Sequence, residues 1–148
     1  MSGKFYSVVL GSVSKFRVVI PSIFKSEFGK DAHGKYNVFC TLSPTGKEIY
    51  IFPLDTWELT YEKLKEGTKR EKDLLDYFIR KASKQIMEDN GRLRLSDRLL
   101  SATGITDNVI LQGEGSFISI WIPENHQIYD EKQNQELPTD FKASEIRI

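Results

Sequence analysis

The 148-residue sequence has little that would tie it to an extracellular or membrane setting. Its single cysteine, Cys40, cannot form a disulfide within the chain, so we expect a reducing environment. No apolar run approaches the ~20 residues that a membrane-spanning helix needs. Residues 1–6 also lack the charged, then apolar, then small pattern of a secretory signal. These absences predict a cytoplasmic protein with no membrane partner.

The sequence also lacks an excess of charge of either sign. Its 21 lysines and arginines balance 21 aspartates and glutamates, which gives a formal net charge of zero. That balance excludes a protein that coats nucleic acid by bulk attraction. With 39% hydrophobic residues, including nine Phe, six Tyr and two Trp, the chain has enough apolar material to bury a core.

Residues that carry catalytic chemistry are few and isolated. His33 and His126 stand in polar contexts without cysteine or carboxylate at metal-ligand spacing. Cys40 lies within an apolar run, which is typical of a buried structural thiol. The Gly113–Gly115 segment is too short to cradle a phosphate, and a hairpin turn explains it. We therefore predict no catalytic residue, metal, cofactor or small-molecule substrate.

The chain contains an internal repeat. At an offset of 75, residues 16–22 align with residues 91–97, and Gly29 aligns with Gly104. The offset falls to 71 and then 70 farther along, because the second copy has shorter loops. Arginine, glycine and proline landmarks recur in the same order, which indicates two diverged copies of one β-rich unit.

Each copy has the same predicted plan, in which a β-hairpin is followed by a short helix and two further strands. Asp89-Asn90-Gly91 is a strong turn signal before the alternating segment at residues 92–95. Ser22 and Ser96 are predicted N-caps of the short helices. Gly29 and Gly104 are predicted to end those helices in the left-handed conformation.

Between the copies the periodicity changes to that of amphipathic helices. We therefore divide the chain into four parts. These are a first repeat at residues 6–55, a helical connector at residues 56–82, a second repeat at residues 83–126, and a helical, then flexible polar tail at residues 127–148.

The neutral total conceals an uneven distribution of charge. Residues 1–35 carry six basic and two acidic side chains, for a net charge of +4. Residues 124–148 carry three basic and six acidic side chains, for a net charge of −3. The chain therefore has a basic front and an acidic tail.

Four of the basic residues lie at the predicted hairpin turns. Lys15 and Arg17 flank the first turn, and Arg92 and Arg94 follow the second. Arginines mounted on turns can reach phosphates, and a planar guanidinium can form two hydrogen bonds with a guanine edge. The alternative is that all four are ordinary strand-end charges.

Two stretches of sequence resemble the MraZ family. SKFRVVIP at residues 14–21 is similar to the family signature D-x-K-G-R-(apolar)-x-(apolar)-P. ASKQIMEDNGRL at residues 82–93 resembles the start of the family's second half, A-x-x-x-x-M-D-x-x-G-R-(apolar). The resemblance extends over about residues 5–129, nearly the whole chain.

The resemblance implies an α+β fold with two pseudo-symmetric SpoVT/AbrB-like, β-hairpin-rich halves, which form a barrel-like core with connecting and C-terminal helices. It also implies a ring-shaped homo-oligomer that binds double-stranded DNA and is associated with the nucleoid. Such a protein would regulate transcription, usually as a repressor, at short direct repeats upstream of the division and cell-wall gene cluster. By position, Lys15 and Arg17 match the family's DNA-contacting lysine and arginine. Arg92 matches the arginine of the second half, for which the resemblance implies a structural role or one shared with subunit contacts.

The sequence departs from the family pattern at the first turn. Val13 stands where the family has aspartate, and Phe16 stands where it has glycine. Glu88 keeps the acidic charge of the second half, which implies a pair with Arg92. Glycine permits a tight turn that a large side chain resists, so Phe16 either contacts a base or packs on a neighbouring subunit. The alternative function is a ring-forming scaffold or antitoxin-like protein with weakened DNA binding.

Overall fold

The computed structural model describes residues 4–146, so the last two residues of the predicted tail lie outside the described part. Within that part the chain forms eight strands: β1 (Val8–Ser14), β2 (Arg17–Val19), β3 (Tyr36–Leu42), β4 (Glu48–Pro53), β5 (Ser83–Met87), β6 (Arg92–Arg94), β7 (Asn108–Gly113) and β8 (Ile118–Trp121). The same residues form six helices: α1 (Ser22–Lys25), α2 (Leu54–Lys65), α3 (Lys69–Arg80), α4 (Asp97–Thr103), α5 (Pro123–Glu136) and α6 (Ala143–Ile146).

The strands form one antiparallel sheet in the order β5-β3-β4-β8-β7-β1-β2-β6. Its two end strands are joined by the β5–β6 hairpin, so the sheet is nearly closed into a barrel. Strands of the first half pair with strands of the second: β1 with β7, β2 with β6, β3 with β5 and β4 with β8. The predicted α+β fold with a barrel-like core of two pseudo-symmetric halves is confirmed.

The barrel interior is filled by apolar side chains from both halves, because alternate residues of each strand point inward. Val18 of β2 and Leu93 of β6 lie opposite each other and are fully buried. The other large, fully buried side chains of this core include Phe5, Phe24, Ile20, Ile49, Ile51, Met87, Leu95, Leu111, Ile118 and Ile120. The two halves therefore share one core.

A second apolar cluster lies outside the barrel, where α2 and α3 cover β3 and β4. The Trp57 ring stacks on the Phe39 ring with centroids 3.8 Å apart, and Leu75 and Phe78 of α3 join them. Thr68 begins α3 with a capping box, which satisfies free amide hydrogens of its first turn. The amphipathic helices predicted between the repeats therefore fix one outer face of the sheet.

The short helices differ in how they end. Ser96 caps α4 as predicted: its Oγ accepts a hydrogen bond from the Leu99 backbone N at 3.3 Å. Gly104 ends that helix in the left-handed conformation, with φ +75°. The corresponding predictions for Ser22 and Gly29 are wrong.

In the first half, Pro21 takes the N-cap position of α1 and makes no side-chain cap. The helix has only four residues and stops at Ser26, which remains right-handed, so no left-handed residue is needed at Gly29. A backbone hydrogen bond from the Phe28 N to the Lys25 O continues the turn beyond the helix. That turn brings the Phe28 ring against Phe5 in the core, with centroids 5.2 Å apart.

Candidate nucleic-acid interface

The β1–β2 hairpin closes with a two-residue turn, Lys15-Phe16, whose backbone is left-handed at both positions. The φ angles are +52° at Lys15 and +65° at Phe16. This is the type I′ geometry that matches the twist of the flanking strands, and Gly or Asn normally occupies it. A side chain at such a position costs roughly 1–2 kcal/mol. The turn therefore holds backbone strain at the point where Lys15 and Phe16 face solvent.

Pairing of β2 with β6 brings the two predicted arginine sites together. The Cα partners are Arg17 with Arg94 and Val19 with Arg92. Since Val18 and Leu93 between them are buried, Arg17, Arg92 and Arg94 all project from the outer side of β2 and β6. We name the surface formed by Lys15, Arg17, Arg92 and Arg94 the basic face.

Arg94 is held in place by two contacts from different elements. Its guanidinium lies 5.5 Å from the centroid of the Phe16 ring and 3.8 Å from a carboxylate oxygen of Asp97. A cation over an aromatic face is attracted by about 0.5–1 kcal/mol at an exposed site. The Phe16 ring therefore supports the Arg94 guanidinium. The resemblance to the family did not predict this contact.

Arg17 is oriented towards the turn rather than towards an acid. Its Nη1 donates a 3.4 Å hydrogen bond to the carbonyl oxygen of Lys15, and in the described part of the chain it forms no ion pair. Val13 occupies the place of the family's aspartate and is buried. No carboxylate of residues 4–146 therefore neutralises the Arg17 guanidinium.

The two departures from the family pattern meet in space. Val13 and Phe16 line the same pocket of about 530 Å³, whose other apolar walls are Leu100 and Ile105 beside α4. Phe16 remains 47% exposed, so its ring lines the pocket and also contacts solvent. The loss of a carboxylate at position 13 and the gain of a ring at position 16 are thus parts of one apolar arrangement.

The second turn requires a glycine for two reasons. Gly91 has φ +90°, and a Cβ there would lie 2.6 Å from the carbonyl oxygen of Ile20. The Gly91 carbonyl accepts a hydrogen bond from the Ile20 N at 2.8 Å, and the Phe16 carbonyl accepts one from the Leu95 N at 2.7 Å. Each turn is therefore braced by the chain of the opposite half.

The pair expected between Glu88 and Arg92 is a backbone interaction. The Glu88 N donates to the Arg92 carbonyl oxygen at 2.9 Å, and both side chains are exposed. No ion pair joins them among the described residues. Asp89, the next residue, instead lies 3.8 Å from Lys30. Arg92 is therefore free of a carboxylate partner in residues 4–146.

Cys40 and His126 lie on elements other than those that carry the basic face. Cys40 is 1% exposed, and burial raises the pKa of its thiol to about 12. His126 packs on Trp121, with ring centroids 5.6 Å apart, and its Nε2 lies 2.7 Å from Oε1 of Gln112. Residues 4–146 contain no group of three or more His, Cys, Asp or Glu side chains placed to hold a metal ion. In that part of the chain, no helix has the length and apolarity to cross a membrane.

A buried carboxylate, which the sequence did not single out, lies on β4. In the strand order, β8, β7 and β1 separate β4 from β2 of the basic face. Glu48 of β4 accepts a 3.0 Å hydrogen bond from the Thr45 hydroxyl. Burial raises the pKa of Glu48, the nearby Glu114 carboxylate raises it further, and the hydroxyl contacts oppose the shift. Glu114 is itself held by the Ser119 hydroxyl and the Gln112 amide.

Glu48→Gln is expected to raise the melting temperature at pH 7–8. Folding raises the Glu48 pKa, so its protonated form is stabilised, and this contribution is lost as pH rises through the folded-state pKa. The amide has no charge to desolvate. The gain should shrink as pH falls through the raised folded-state pKa and reach its low-pH limit near 4.5, the ordinary pKa of the group. Thermal unfolding across pH checks this, with the exposed Glu145→Gln as control. A gain that does not depend on pH would contradict it.

Comparison with known proteins gives relatives along most of the chain. A protein described as "Transcriptional regulator MraZ" from Colwellia psychrerythraea is 30% identical over 111 residues, 73% of this chain and 72% of the relative. Proteins with the same description from Clostridium tetani and Clostridium acetobutylicum are 26% and 27% identical. They align over 141 and 138 residues, 93% and 91% of this chain and 94% and 92% of the relatives. No protein-family model matches the chain.

Proposed function

The chain belongs to the MraZ family of bacterial transcriptional regulators, and from that membership we propose that it binds double-stranded DNA through the basic face. In this proposal it represses transcription from short direct repeats upstream of the division and cell-wall gene cluster. It acts as a ring-shaped homo-oligomer at the nucleoid, and it regulates by binding, without a catalytic step.

The observation that supports the proposal is the pairing of Arg17 with Arg94 across β2 and β6, next to the Lys15-Phe16 turn that joins β1 to β2. The major groove of B-form DNA admits a two-stranded hairpin such as β1–β2, and arginine can form two hydrogen bonds with guanine there. Lysine and arginine at its edges neutralise phosphates. The hydrogen bond from the Leu95 N to the Phe16 carbonyl oxygen ties the tip of the β1–β2 hairpin to the second half, which reduces the ordering needed on binding.

Neutral overall charge agrees with this mode of binding. The attraction is confined to one face, so a single subunit binds weakly and does not coat DNA. A ring would present several basic faces to several repeats, and each binding event after the first would take place at high effective concentration. Selectivity would then come from the spacing of the repeats together with the contacts of each face.

Fluorescence anisotropy with a labelled duplex from the region upstream of the chain's own gene tests the proposal. The unaltered chain should prefer this duplex to a scrambled one of equal length. Arg17→Ala should weaken binding by about 1–3 kcal/mol, roughly tenfold or more, because one base or phosphate contact is lost. Arg70→Ala removes the same charge from the exposed surface of α3 and is the control.

Two results would contradict the proposal. Equal losses for Arg17→Ala and Arg70→Ala would show that only bulk charge matters. Feeble binding to both duplexes with no preference would instead support a ring-forming scaffold. A plot of log affinity against log salt adds a second check, since its slope should fall by about one when a phosphate contact is removed.

A further inference from the structure

Phe16 is an unusual residue for its place in the chain. Its φ of +65° lies in the left-handed region, where Gly or Asn normally stands in a two-residue hairpin turn. Its side chain is also 47% exposed, so the ring adds no fully buried group to the core. Backbone strain of this kind persists where the surrounding structure maintains it, and it is concentrated at functional sites. The contacts of the ring therefore indicate its role.

One of those contacts joins the two halves of the barrel. The Arg94 guanidinium lies 5.5 Å from the centroid of the Phe16 ring, within the ~6 Å over which an aromatic face attracts a cation. The backbone supports this contact, because the N of Leu95, next to Arg94, donates a 2.7 Å hydrogen bond to the Phe16 carbonyl oxygen. A ring of the first half is thereby held against an arginine of the second half.

The paired arginines of the basic face differ in how they are held. Besides the ring contact, Arg94 lies 3.8 Å from a carboxylate oxygen of Asp97 at the start of α4. Arg17 has a longer, 3.4 Å hydrogen bond to the Lys15 carbonyl oxygen of its own turn. An arginine stacked on a ring keeps its planar fork in fewer orientations, so less conformational entropy is lost when the fork forms two hydrogen bonds. Arg94 is therefore more restricted before binding than Arg17.

From these contacts we propose that Phe16 is a positioning residue for Arg94 and that the pair recognises guanine in the duplex. Arg94 forms the base contact, and Phe16 acts through it by holding the guanidinium against its ring. Since Phe16 belongs to the first half and Arg94 to the second, recognition of this base requires both halves. The role of the pair rests on the DNA binding of the proposed function, to which it adds a base-reading arginine from the second half.

Positioning and charge have different signatures in DNA binding. A mobile arginine neutralises phosphates of any sequence, and its contribution appears in the salt dependence of the affinity. An arginine held for a base edge contributes to the preference for one sequence over another. Removal of the Phe16 ring leaves the charge of Arg94 in place. It should therefore lower the preference for the upstream duplex over a scrambled one and leave the salt slope nearly unchanged.

Two substitutions at position 16 test the proposal by fluorescence anisotropy. Phe16→Asn removes the ring and keeps the turn, because Asn is favoured in the left-handed conformation. We expect it to reduce the preference for the upstream duplex about twofold to fivefold, the factor that corresponds to a cation–aromatic contact at an exposed site. Phe16→Tyr keeps a ring against Arg94 and should retain the preference. Phe141→Asn makes the same change at an exposed ring near the C-terminus and is the control.

The Arg94→Ala background shows whether Phe16 acts through Arg94. There, Phe16→Asn should cause no further loss, because the group that the ring positions is absent. Equal effects of Phe16→Asn with and without Arg94 would overturn the positioning role. So would an unchanged preference in Phe16→Asn, or a loss in Phe16→Tyr as large as that in Phe16→Asn. Failure of the proposed function gives a different result, in which the unaltered chain binds both duplexes equally, and that result would overturn base reading by the pair as well.

Discussion

Replacing both Arg17 and Arg94 with glutamate is expected to weaken DNA binding on the order of a thousandfold. Each arginine contact contributes about 1–3 kcal/mol, and ~1.4 kcal/mol corresponds to a factor of ten. Reversal of charge also places carboxylates against phosphates. Because Arg17 and Arg94 are paired across β2 and β6, both losses fall on the same part of the DNA. Assembly into a ring would multiply the effect over the bound subunits.

The matched control for this variant reverses two charges elsewhere. Lys69→Glu with Arg70→Glu on α3 makes the same change in net charge at exposed positions. We expect it to weaken binding only through long-range repulsion, which salt screens beyond ~10 Å. Anisotropy at two salt concentrations separates the two effects. Equal losses in both double variants at the higher salt concentration would show that the basic face has no special role.

Gly91→Ala is expected to lower the free energy of unfolding by about 2–4 kcal/mol. Alanine at φ +90° is strained by roughly 1–2 kcal/mol. Its Cβ would also lie 2.6 Å from the Ile20 carbonyl oxygen. Relief of that clash would lengthen the hydrogen bond from the Ile20 N to the Gly91 O, which contributes about 0.5–1.5 kcal/mol. The loss falls on a contact that joins the two halves.

Gly34→Ala separates backbone strain from the clash. Gly34 has φ +73°, and a Cβ there would meet no atom within 4 Å. This variant should lose only the ~1–2 kcal/mol of left-handed strain. Chemical denaturation of both variants measures the difference. If the two substitutions destabilise the chain equally, the close approach of Gly91 to Ile20 does not contribute to stability.

Much of the fold could be predicted from local patterns in the sequence. Alternation predicts the strand at Arg92–Arg94, Asp89-Asn90-Gly91 predicts the turn before it, and Ser96 and Gly104 bound α4 as expected. The same reasoning fails for Ser22 and Gly29. A serine or a glycine signals a helix end only when the helix is long enough to need it, and α1 has four residues.

The basic face could be predicted only in part. Lys15, Arg17, Arg92 and Arg94 are recognisable in the sequence as residues of two turns. These side chains lie on one face only because β2 pairs with β6, and that pairing joins distant parts of the chain. No periodicity within one segment reports such a pairing. The contact of Phe16 with Arg94 depends on the same pairing.

The position of bound DNA relative to the Lys15-Phe16 turn tests the central claim most directly. A Ser14→Cys variant can carry an iron chelate that cleaves nearby DNA, because Ser14 is exposed and the native thiol of Cys40 is buried with a raised pKa. A Lys69→Cys variant on α3 carries the same chelate as the control. We expect cleavage within the upstream duplex from position 14 and none above background from position 69. Cleavage from position 69 alone, with unchanged DNA affinity in both variants, would contradict the assignment of the basic face.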